Sequence, residues 1–152
     1  MKVKKKELYG KFTQFEDACR KAGLKLTQQR IELFRELVLA SDHPSVETLH
    51  KRMLERLPTI SLDTVYRTLA TFEKHSLVKR VQTAESQARF ELNVEEAKHH
   101  HLICRICGQI TDFQWVLFDE VAPPAEIGGW GLVESKNATL YGICEKCSGK
   151  NE

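Results

Sequence analysis

Two Cys-x-x-Cys pairs, Cys104 with Cys107 and Cys144 with Cys147, constrain this chain more than anything else in it. Each pair presents two sulphurs from one tight backbone turn, and two such turns complete a tetrahedral site for a borderline-soft ion such as zinc. Gly108, directly after the first pair, permits the sharp turn there. Thirty-six residues separate the pairs, so the chain must bring both turns to one end of a sheet. A closed four-thiolate site has no open coordination position, and its expected role is structural. The fifth cysteine, Cys19, shares a helical apolar face with Phe15 and Ala22 and reads as core. No apolar h-region follows the basic opening "MKVKKKELYGK". The expected compartment is therefore cytoplasmic and reducing, which favours metal binding over disulfides.

The 152 residues carry a net charge of only +2, unevenly spread. Residues 1–92 hold 18 Lys and Arg against 12 Asp and Glu; residues 93–152 hold 5 against 9. A basic first half joined to an acidic second half suggests that only the first meets a polyanion. No apolar run reaches the length of a membrane span.

The first half reads as helices followed by a hairpin. Phe15, Cys19 and Ala22 lie at helical spacing before Gly23; Thr27 is a candidate N-cap for a helix with the stripe Ile31, Phe34, Leu37 and Val38. After the break "DHPS", "VETLHKRMLERL" predicts a third helix with Leu49, Met53, Leu54 and Leu57 inward, ended by Pro58. Ser61 caps a fourth helix, with Asp63 at its positive end and Val65, Leu69 and Phe72 buried. Thr64, Tyr66, Arg67, Thr68 and Thr71 then face largely outward, and no acid occurs within 64–72. "LVKRVQ" and "ARFELN" alternate like strands around a turn at "TAESQ". The pattern is that of a winged helix-turn-helix, in which the second helix of the pair enters the major groove of DNA. The fold class expected is α+β: a winged-helix domain over residues 1–90 and an α/β domain over 91–152. Short apolar runs in the second half predict a small sheet interrupted by "APPAEIGGWG".

Beside the first thiol pair stands "HHHLIC". In an extended strand His99 and His101 share one face and His100 takes the other. Two imidazoles are not a complete site, so further donors must come from elsewhere: Glu91, Asp112 and His43 are the candidates. A nitrogen and oxygen set suits iron, manganese or zinc. A run of three histidines also occurs as plain solvated sequence.

In order and spacing, "GLKLTQQR", "HPS", "SLDTVYRTL", "LVKRV", "RFEL", "HHHLICRICGQITDF", "LYGIC" and "CEKC" resemble the ferric uptake regulator family of bacterial metal-responsive repressors. The resemblance spans roughly residues 12–148. It implies a cytoplasmic homodimer that binds a palindromic operator in double-stranded DNA, with a dimerisation role for the second domain. It assigns one structural zinc per subunit to Cys104, Cys107, Cys144 and Cys147. It assigns a regulatory iron(II) or manganese(II), with zinc as another option, to His43, Glu91, His99, His101 and Asp112. Lys25, Arg30, Thr64, Tyr66 and Arg67 become the expected DNA contacts. A further metal site found in many members falls here on Lys98, His100, Asp119 and Lys136, where two lysines replace ligands. The spacing from Glu91 to the histidine pair is one residue longer than usual. Asp112 resembles the peroxide-sensing branch, whereas Glu91 points towards the iron-uptake branch; a zinc-uptake repressor is the other alternative. The rival classes are a zinc-dependent enzyme and an interaction module stapled by zinc. The chain has no His-Glu-x-x-His and no zinc-deaminase signature, so the expectation is a non-enzyme without a small-molecule substrate or a membrane partner.

Overall fold

A computed structural model describes residues 5–83, 87–93 and 98–149. The chain divides into two compact units, Met1–Glu95 and Glu96–Glu152. The tip of the expected hairpin turn, residues 84–86, and the first four residues lie outside the described residues.

In the first unit, α1 (Lys5–Lys21), α2 (Gln28–Leu39), α3 (Val46–Met53) and α4 (Leu62–Lys74) precede an antiparallel pair, β1 (Val78–Val81) and β2 (Arg89–Leu92). Local chemistry sets the helix starts. Thr27, Ser45 and Ser61 are extended N-caps whose hydroxyls accept the N–H of Arg30, Thr48 and Thr64. The apolar stripes close one core: Phe15 stacks on Phe34 at 4.1 Å and meets Phe72 edge-on at 5.4 Å, while Leu33, Leu49, Val65 and Leu69 are fully enclosed. Each such side chain contributes roughly 1.5–3 kcal/mol through its removal from water.

The third helix is shorter than the sequence predicts, ending at Met53 rather than running to Leu57. Pro58 disfavours helical backbone at residue 57, and the chain unwinds from Leu54 onward. The N–H groups of Leu54 and Leu57 close the helix end on the carbonyls of His50 and Met53.

The second unit is built on a three-stranded mixed sheet, order β4-β3-β5: β3 (His100–Cys104) runs antiparallel to β4 (Ile110–Phe113) and parallel to β5 (Thr139–Gly142). Between β4 and β5, α5 (Val116–Glu120) stops after five residues and a 3-10 turn spans Ala125–Ile127. Pro123 and Pro124, which lack an N–H to donate, stand just beyond α5. A last short helix, α6 (Glu145–Ser148), follows β5.

Candidate metal centres and nucleic-acid face

The β3–β4 turn carries Cys104 and Cys107. Gly108 sits there at φ 72°, and its N–H bonds back to the Cys104 carbonyl. Parallel pairing sets Gly142 of β5 beside Cys104, so the chain leaving β5 delivers Cys144 and Cys147, at the N-terminus of α6 and within it, to the same end of the sheet. The four sulphurs lie within 4.8 Å of one another, with Cys107 Sγ 3.8 Å from Cys144 Sγ. Zinc–sulphur bonds of about 2.3 Å place tetrahedral sulphurs about 3.8 Å apart, so the cluster has the size of a four-thiolate zinc site. The Cys104 thiol is drawn down to about 6 by the backbone N–H groups of Cys107 and then of Cys144. Cys147 is pushed up to about 12 by sharing protons with the neighbouring thiols, Cys144 first, and by burial. Four crowded thiols resist joint ionisation, and a divalent cation at their centre removes that resistance.

The nitrogen and oxygen donors form pairs inside each unit. In the first, the Nε2 of buried His43 lies 3.1 Å from Glu91 Oε2. Glu91 lies on β2 and reaches across the hairpin, Oε1 to Lys79 Nζ at 3.8 Å. His43 has a left-handed backbone, φ 48°, in the break between α2 and α3, a conformation that costs a residue with a side chain about 1–3 kcal/mol. Strand β2 holds it there: Arg89 Nη1 donates to the His43 carbonyl at 3.3 Å and Phe90 N–H to the Pro44 carbonyl at 3.1 Å.

In the second unit, the rings of His99 and His101 lie 5.1 Å apart, and His101 stands opposite Asp112 in the β3–β4 register, Nε2 to Oδ1 at 3.5 Å. The pleat sends His100 the other way, against Phe113 and Phe118. Its Nδ1 accepts the Ala138 N–H at 3.0 Å, and its Nε2 lies 3.3 Å from Asp119 Oδ1. An imidazole accepting at Nδ1 carries its proton on Nε2, so no lone pair is left for an ion there. Lys136 lays its ammonium over the Phe118 ring and donates to the Val121 carbonyl, and Lys98 is exposed. Of the four residues, two are lysines, and His100 and Asp119 already face each other at 3.3 Å.

On α4, Tyr66 and Arg67 are exposed, opposite the Val65, Leu69 and Phe72 stripe. Arg67 Nε is 2.9 Å from Asp63 Oδ2, one helical turn back, and Tyr66 donates to Glu47 Oε1 at 3.4 Å. Thr68 and Thr71 are half-buried and return their hydroxyls to the carbonyls of Thr64 and Arg67, so they present less to solvent than the sequence predicts. The Thr64 hydroxyl pairs with the Ser61 cap at 2.8 Å. Lys25 is exposed, and Arg30 folds back to the Lys25 carbonyl.

Sequence reasoning passed over Lys79 and Arg89. The hairpin register carries the signal for Lys79, which lies opposite Glu91. For Arg89 the signal is its two-residue offset from Glu91, which puts both on one strand face.

A family model described as "Ferric uptake regulator family" matches residues 21–125. The peroxide-responsive repressor PerR of Staphylococcus epidermidis is 33% identical over 130 residues, 86% of this chain and 85% of the relative. The Helicobacter pylori ferric uptake regulator, solved with three functional metal-binding sites, superposes with a TM-score of 0.73 at 25% identity, covering 97% of each chain. The ferric uptake regulator of Vibrio cholerae gives 0.67 at 28% identity, covering 84% of this chain and 98% of that one.

Proposed function

The chain belongs to the ferric uptake regulator family of metal-responsive transcriptional regulators, and from that membership we propose that it is a metal-dependent DNA-binding repressor of the peroxide- and iron-responsive kind. One observation carries the reading: the winged-helix unit that exposes Tyr66 and Arg67 also sets a buried imidazole, His43, 3.1 Å from the half-buried Glu91 carboxylate. Such a pair suits a hard or borderline divalent ion, and it stands in the DNA-reading half.

In this reading Cys104, Cys107, Cys144 and Cys147 hold the structural zinc. His43, Glu91, His99, His101 and Asp112 hold one regulatory ion, iron(II) or manganese(II), with donors from both halves of the chain. That ion binds best in the arrangement of two subunits that fits the operator, and this difference in affinity sets the switch. Arg67 and Tyr66 read the major groove, Thr64 steadies the helix start, and Lys25 and Arg30 meet the phosphate backbone. Exposed apolar residues of the second unit, among them Leu102, Leu140, Tyr141 and Trp130, support a homodimer. The expected place of action is the cytoplasm. Iron(II), when bound, supplies one-electron chemistry towards hydrogen peroxide, and His43 or His99 is the ring expected to be oxidised. Asp112 and the peroxide-responsive relative favour this branch; Glu91 favours an iron-uptake repressor, with zinc uptake as the remaining option.

The test is operator binding by zinc-loaded protein across iron(II), manganese(II) and zinc, before and after peroxide. His43→Ala is expected to abolish metal-dependent binding with zinc content, fold and dimer intact. Metal-independent binding by the unaltered protein defeats the repressor reading. An iron(II) form that gains no oxygen on His43 or His99 after peroxide sends the assignment to the uptake branches.

A further inference from the structure

We propose that Arg89 is the positioning residue of the regulatory site, fastening the His43–Glu91 pair to the strand that also forms the wing. The proposal rests on the function just given.

His43 has two demands that its own segment cannot meet. Its backbone sits at φ 48° without being glycine, and its ring must be held towards Glu91. Strand β2 answers both from one face. Arg89 and Glu91 are two residues apart, so their side chains project on the same side of the strand. Glu91 takes the imidazole and the Arg89 guanidinium takes the carbonyl of that same residue. Between them Phe90 buries its ring in the core and donates its N–H to Pro44, while Ser45 forms an isolated antiparallel bridge with Arg89. Residues 43–45 are thereby drawn along β2 as β1 is drawn along its other edge.

Removing the guanidinium frees the His43 carbonyl and lets the peptide relax from the left-handed conformation, which swings the ring away from Glu91. The pair then has to be reassembled whenever an ion binds, and affinity falls. A guanidinium aimed at DNA phosphate would point outward; this one is turned onto a carbonyl next to a buried ring.

The experiment uses full-length, zinc-loaded protein, with cobalt(II) as the probe of the second site, read by its visible absorption and by titration. Arg89→Gln is expected to weaken cobalt(II) binding about ten-fold and alter the absorption envelope, with zinc content unchanged. Arg89→Lys keeps the charge with a single ammonium in place of the planar fork, and is expected to bind with intermediate affinity. In a His43→Ala background Arg89→Gln should cost nothing more. Unaltered cobalt(II) affinity in Arg89→Gln or in Arg89→Lys overturns the proposal, as do losses that simply add in the double variant. A parent protein that takes up no cobalt(II) beyond its zinc overturns the reading of the site itself, and this inference with it.

Discussion

Lys79 shows how much one side chain can set at this site. Its ammonium stands 3.8 Å from the Glu91 carboxylate, where it partly satisfies the acid and opposes an incoming dication. Lys79→Gln is therefore expected to raise manganese(II) affinity about five-fold, or ~1 kcal/mol, for a charge acting through partly screened surroundings. Isothermal titration of zinc-loaded protein measures it, and an unchanged or weaker affinity contradicts it. At this scale the sequence was legible for residues whose chemistry is conspicuous, such as the cysteine pairs and His99 with His101. It was silent on Lys79 and Arg89, which look like any wing cations until the strand register is known. Asp112 lies between these cases: it reads as a donor, but its place opposite His101 comes from the hairpin.

Among the elements, the helices that begin with hydroxyl caps were the most readable. A side-chain cap and an apolar stripe are local signals, and Thr27 and Ser61 act as the sequence suggests. The end of α3 was misread because its pattern continues through Leu54 and Leu57 while its backbone does not. The parallel pairing of β3 with β5 was illegible, because nothing local links partners so far apart in the chain. Helix α4 supports a prediction of its own. Arg67 is tethered to Asp63 by a solvent-exposed ion pair worth little, so DNA can claim its guanidinium cheaply. Arg67→Ala should weaken operator binding by about 1–3 kcal/mol and relax discrimination at one base pair. Competition binding at matched salt checks this, and equal loss on random DNA would reduce Arg67 to a phosphate contact.

At the scale of the whole molecule the expected metal content is two ions per subunit. The Helicobacter pylori relative has three functional sites, but here His100 accepts the Ala138 N–H and Lys136 occupies the neighbouring aromatic face. Elemental analysis of zinc-loaded protein saturated with manganese(II) should stop at one zinc and one manganese; a third tightly held ion contradicts this. Cys144→Ser should lose the zinc and, with it, the folded second unit, because metal binding and folding share one free energy; a stable, zinc-free dimer of this variant counts against it. By net charge the first unit is basic and the second acidic. His43 carries a different consequence, for protein engineering. At φ 48° a glycine is at ease and an alanine is not, so His43→Gly should be about 1 kcal/mol more stable than His43→Ala. A laboratory selection for heat resistance that ignored metal and offered only these two variants would keep the glycine, and would deliver the sturdier of two proteins that had gone deaf.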